Sequence, residues 1–166
     1  MRMKLLLLVT CSVMLNACVP TNTSDLAIID VKPMLTESQE ERWALMVGKW
    51  YSRQSIKAGG VKEEILEFFP DGKSLITFKI SDLNKNTQIS RELGLWGVSG
   101  DIYFSIFIGH IKNSNLQKSN LGDPYNYDAY RILQLNESVF EYEHVTTGNR
   151  YTSKKVSADY EFEQEN

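Results

Sequence analysis

The sequence predicts an all-β domain: an eight-stranded antiparallel up-and-down barrel preceded by one short α-helix. Three observations carry that expectation. After Gly48 the chain breaks into eight short β-rich runs, joined mostly by tight turn residues. The third run alternates apolar and polar residues with the period of a strand. No second helix of useful length interrupts the runs, so parallel crossovers are not expected. A meander of this length removes its exposed edges by closing on itself.

The elements follow in order. Thr36-Glu37-Ser38-Gln39 has the form of a capping box, and Glu37, Glu40 and Glu41 place negative charge at a helix start. Trp43, Met46 and Val47 then form an apolar face, and Gly48 is a natural stop. The helix is expected over Ser38 to Val47. Strands are expected at Trp50–Ile56, Lys62–Phe69, Ser74–Ser81, Gln88–Val98 and Ile102–Ile108. Pro70-Asp71-Gly72, Asn84-Lys85-Asn86 and Ser99-Gly100-Asp101 separate the later ones. Ile76, Phe78 and Ile80 share one face of the third strand; Ile102, Phe104, Ile106 and Ile108 share one face of the fifth. A long polar connection, Gly109 to Tyr125, is a candidate lid at one barrel end. The last strands are expected at Tyr127–Leu135, Val139–His144 and Arg150–Val156. The acidic tail, 159–166, is expected to fray.

The first eighteen residues read as an address and an anchor. Arg2 and Lys4 precede a short apolar run from Leu5 to Ala17. As a helix it would span roughly 20 Å, short of the ~30 Å hydrocarbon core, so residues 1–17 are expected to be a signal peptide. Leu15-Asn16-Ala17-Cys18 resembles a bacterial lipobox. That resemblance implies cleavage between Ala17 and Cys18 and acyl chains such as palmitate on Cys18. The membrane would then be a partner through the lipidated residue. Val19 stands where Asp would retain an enteric lipoprotein at the inner membrane. The resemblance therefore implies the outer membrane, facing the periplasm. Residues 18–35 are expected to form a lipid-anchored tether, in which the apolar run Leu26 to Val31 either docks on the domain or contacts a partner. Residues 36–158 hold the helix and barrel.

Composition narrows the function. Hydrophobic residues make up 42% and charged residues 23%, a folding composition that excludes a disordered chain and a polytopic membrane protein. The net charge is −3, which gives no case for nucleic acid. The only two cysteines are Cys11, expected to be discarded with the signal peptide, and Cys18. The domain is left without disulfides or a thiolate zinc site and must stand on its core.

Gly48-Lys49-Trp50-Tyr51, opening an eight-strand meander after a short helix, resembles the lipocalin Gly-x-Trp motif. Glu67-Phe68-Phe69-Pro70-Asp71-Gly72, and the run from Gly94 to Tyr103, resemble small bacterial lipocalin-like domains. The likeness covers about Gly48 to Val156. It implies a calycin-type barrel in which Trp50 plugs the closed end beneath a basic residue: Arg150, Lys154 or Lys155. A Thr-Asp-Tyr motif and a helix after the last strand, both typical of lipocalins, are missing.

Chemistry is sparse. His110 and His144 read as solvated residues beside turns, and no cluster suggests a metal. No nucleophile elbow, phosphate loop or zinc-helix motif is present. Gly94, Gly97 and Gly100 read as bulge and turn glycines. Glu63, Glu64 and Glu67 fall on the second strand; Glu141 and Glu143 share one face of the seventh, which fits an outward polar face as easily as a cleft. Gly122 to Tyr130 reads as a Pro turn entering a Tyr-rich strand, with a recognition surface as the rival reading. The expectation is a non-enzymatic envelope lipoprotein without cofactor or metal. Its barrel would bind a small apolar or amphipathic ligand, with Trp50, Phe78, Trp96, Phe104 and Tyr130 as candidate contacts. The alternative is a solid barrel that grips another envelope protein through its loops. A cavity above roughly 300 Å³ separates the first reading from the second.

Overall fold

The computed structural model describes residues 37–57 and 59–162. The signal peptide, Cys18, the tether with its apolar run, Thr36 of the capping box and residues 163–166 lie outside the described residues. Helix α1 spans Glu37–Met46. The strands are β1 (Gly48–Ser55), β2 (Val61–Phe68), β3 (Lys73–Ser81), β4 (Thr87–Ser99) and β5 (Ile102–Lys112). They continue as β6 (Asn115–Lys118), β7 (Tyr127–Leu135), β8 (Val139–His144) and β9 (Arg150–Val156).

Every pairing is antiparallel. The sheet runs β4-β3-β2-β1-β9-β8-β7-β5, and the β4–β5 pairing closes it, so the expected eight strands form the ring. The ninth, β6, is a departure: it falls inside the long connection and pairs with the distal half of β5. The proximal half, Ile102 to Ile106, pairs with β7. Gly109 allows this, because a Cβ there would sit 2.2 Å from the Gln117 carbonyl oxygen. Instead of a loose lid, the connection is a hairpin that prolongs β5, followed by a 3-10 turn at Pro124–Asn126.

Helix α1 covers one end. Trp43 stacks on Trp96 with ring centroids 4.0 Å apart, and Arg42 Nη1 donates to the Gly100 carbonyl at 2.7 Å. Trp50 is wholly buried and its Nε1 donates to the Met46 carbonyl at 2.7 Å. Of the three basic residues the resemblance left open, Lys155 covers this ring. Its Nζ lies 4.3 Å from the ring centroid and donates to the Leu45 carbonyl at 2.9 Å and to the Val47 carbonyl. One ammonium thus supplies a cation–π contact and satisfies carbonyls where the helix ends.

Two expectations need correction. The fifth-strand face carrying Phe104 points outward, and Phe104 is 41% exposed. Its ring lies over Gly97, where a Cβ would meet it at 2.9 Å. Tyr103, 2% exposed, takes the inner face instead. The tail does not fray over its described part. Tyr160 packs on Tyr51 with centroids 5.3 Å apart, Lys49 Nζ donates to the Tyr160 carbonyl at 3.3 Å, and Phe162 lies 6.0 Å from the Lys79 ammonium. Two aromatic side chains therefore hold the acidic strap against the outside of the barrel.

Candidate ligand site inside the barrel

Strand register divides the interior into two halves. Side chains of directly paired residues point to the same face. One row runs Lys155, Trp50, Leu66 and Ile76; a row nearer the other end runs Ser52, Glu64 and Phe78. At the helix end the space is filled. Met46, Trp50, Phe68, Trp96, Val98 and Phe140 form a buried cluster. Phe68 packs against Trp96 at 4.8 Å, Tyr103 at 5.4 Å and Phe140 at 6.2 Å. Full burial of such a side chain contributes roughly 1.5–3 kcal/mol.

Above this floor the barrel holds a cavity of about 200 Å³. Its aromatic wall includes Phe78, Tyr103, Tyr130, Tyr142 and Tyr151. The tyrosines pack on one another: Tyr103 stacks on Tyr130 at 5.2 Å, Tyr130 meets Tyr142 edge-on at 5.3 Å, and Tyr142 stacks on Tyr151 at 5.2 Å. Burial pushes the Tyr103, Tyr130 and Tyr142 hydroxyls well above the ordinary phenol range, and the Glu64 carboxylate adds to the rise. These hydroxyls stay protonated at neutral pH.

Glu64 brings the central charge. It belongs to β2, where Glu63 faces out and Glu64 faces in. Glu63 accepts a hydrogen bond from Tyr51 Oη at 2.6 Å and pairs with Lys79 at 3.5 Å beneath the tail. The Glu64 side chain is 15% exposed, and its carboxylate lies 3.6 Å from Lys62 Nζ. That ammonium also lies 4.1 Å from the centroid of the Phe78 ring. Burial raises the Glu64 carboxyl above the usual carboxylate range; Lys62 opposes the rise and Glu92 adds to it.

Beside the cavity-lining Asp128, His144 is not a solvated residue. It is 16% exposed, and its Nε2 lies 3.0 Å from Asp128 Oδ1. Its Nδ1 accepts from the amides of Thr146 at 3.2 Å and Thr147 at 3.1 Å. Those amides assign the Nε2–H tautomer, so the ring donates to Asp128. Both ring nitrogens are committed. His110 is exposed and lies 3.6 Å from Glu92. Glu141 and Glu143 face outward onto Thr152 at 3.3 Å and Arg150 at 2.7 Å. Among the described residues no three His, Cys, Asp or Glu side chains are grouped to hold a metal ion.

The candidate contacts separate accordingly. Phe78 and Tyr130 line the cavity. Trp50 and Trp96 belong to the packed floor, and Phe104 lies outside. In the segment from Gly122 to Tyr130, Asp128 and Tyr130 reach the cavity, while Tyr125 is 91% exposed. Sequence reasoning missed Lys62, Glu64, Tyr103 and Tyr142 as site residues. It also missed a surface groove of about 690 Å³ between the tail and the outer face of β2 to β4. Two of the cations lining that groove already face protein groups, Lys79 on Glu63 and Lys49 on the Tyr160 carbonyl.

No protein-family model and no curated protein matches the chain. Among solved structures, the chain is similar to a lipocalin-like protein from Bacteroides uniformis ATCC 8492. The TM-score is 0.42 and the sequence identity 14%, over 68% of this chain and 99% of that one. The barrel itself stands on the closed strand pairing of this chain.

Proposed function

We propose that the protein is a non-catalytic binding protein of the cell envelope, anchored through lipidated Cys18, that holds a small amphipathic molecule in the open half of its barrel. The observation that carries this reading is the partly open cavity of about 200 Å³, with aromatic walls and the carboxylates of Glu64, Glu92 and Asp128 in its lining. Its size sets the ligand. An apolar cavity of roughly 150 Å³ accommodates benzene. The cavity falls below the roughly 300 Å³ set above as the mark of a ligand-binding barrel, so a long acyl chain is too large for it and the binding reading is confined to a small guest. A ring or short chain with a polar group fits. The non-catalytic reading is supported by the commitment of both His144 nitrogens and the pairing of Glu64 with Lys62. The envelope location rests on the lipobox-like run ending at Cys18.

Two measurements test this function. Native mass spectrometry of the protein extracted from its own membrane should show a retained small molecule. A bare protein mass, with no saturable quenching of tyrosine and tryptophan fluorescence by small aromatic compounds, would favour the solid barrel that grips an envelope protein. For the anchor, Cys18→Ser should abolish labelling by palmitate and move the protein from the membrane to the soluble fraction. Unchanged membrane association would defeat the lipoprotein reading.

A further inference from the structure

We infer that the cavity selects a small organic cation, a protonated amine or quaternary ammonium, with its charge against Glu64 and its body on the aromatic wall. The inference rests on the cavity being the binding site and names the chemistry of its ligand. Three carboxylates line the space, Glu64, Glu92 and Asp128, and Lys62 is the only Lys or Arg among the lining residues. The field inside therefore favours positive charge and repels an anion. The aromatic wall adds to the same preference, because ring faces attract cations.

The chain itself supplies the second observation. The Lys62 ammonium sits against this carboxylate and over this ring, 3.6 Å from Glu64 and 4.1 Å from the Phe78 centroid. A primary ammonium thus already makes the two contacts a guest would need. Lys62 stands near the mouth on a flexible stem and is 34% exposed, so it can withdraw into water when a guest replaces it. It acts as a resident competitor that weakens binding of every cation and leaves the carboxylate paired when the cavity has no guest. Asp128, one of the three lining carboxylates, is held by His144 Nε2 at 3.0 Å.

The test compares three probes that share one ring and differ in charge: benzylammonium, benzyl alcohol and benzoate. Each is titrated calorimetrically into the purified full-length protein at neutral pH. Benzylammonium should bind roughly tenfold or more tighter than benzyl alcohol, with benzoate weakest. Glu64→Gln should bring benzylammonium and benzyl alcohol to within about twofold, with the fold intact by circular dichroism. Lys62→Ala should strengthen benzylammonium binding and leave benzyl alcohol nearly unchanged, an effect that loss of structure cannot produce. Equal binding of all three probes would overturn the cation preference and leave the cavity as the binding site. Preference for benzoate would overturn it in favour of Lys62 as an anion partner. Binding of none of the three would defeat the cavity reading itself.

Discussion

The two halves of one barrel are built from the same strands and filled by opposite rules. At the helix end, β2 presents Leu66 and Phe68 inward and the interior is solid. One turn of the pleat further, the same strand presents Glu64 and Lys62, and the interior opens. Lys155 and Lys62 sharpen the contrast. Both ammoniums lie over aromatic rings, at 4.3 Å and 4.1 Å. Lys155 is fixed to the Leu45 and Val47 carbonyls where the helix ends, and burial lowers its pKa. Lys62 has a carboxylate and a route to solvent. A cation locked by backbone carbonyls serves the fold, whereas a cation held by one side chain at a cavity mouth can be exchanged.

Substitutions can break this contrast, beginning with the floor. Trp50→Ala removes a fully buried indole and should destabilise the fold by about 3–5 kcal/mol in urea denaturation. Lys155→Met leaves the Leu45 and Val47 carbonyls without their donor and should cost about 1–3 kcal/mol by the same measurement.

Glu64→Gln should act in the other direction, with a sign set by pH. The fold holds this carboxyl above its ordinary value of 4.5, so the folded chain binds the proton more tightly than the unfolded one. That contribution is present in full below 4.5 and is lost as pH rises through the folded value. The variant should therefore melt at a higher temperature than the parent near neutral pH. The difference should shrink on acidification and vanish below the ordinary value. Lys62, Glu92 and the hydroxyls of Tyr103, Tyr130 and Tyr142 face the carboxyl, and the three hydroxyls stay neutral across this range. The smallest effect belongs to Ser74→Ala. The Ser74 hydroxyl is fully buried beside Gly94 without a hydrogen-bond partner among the described residues. Its removal should be neutral or stabilising by about 1 kcal/mol or less in thermal melts.

The strand order was legible because turn chemistry is local. Pro70-Asp71-Gly72 and Ser99-Gly100-Asp101 end strands wherever they occur, and β7, β8 and β9 match their expected bounds. Which face turns inward was less legible. β5 is apolar on both faces, so alternation alone could not decide between Phe104 and Tyr103; Gly97 on the neighbouring strand decides it. Glu63 and Glu64 posed the same problem, since adjacent carboxylates carry no sign of which one faces a cavity. Register settles it, by pairing Glu63 with Arg53 and Glu64 with Ser52. Lys155 could not be told from Arg150 and Lys154 without knowing which residue pairs with Trp50. The tail did carry a signal, two aromatic residues within an acidic run, and they are what bind it to the barrel.

The most direct test of the solid floor and the receptive upper half is amide NMR of the protein titrated with benzylammonium. The account predicts saturable shifts at Glu64, Phe78, Tyr103 and Tyr130, with Met46, Phe68 and Val98 unmoved. Shifts confined to the outer groove, at Leu75, Ile89 and Phe162, would contradict it, as would a spectrum that does not change.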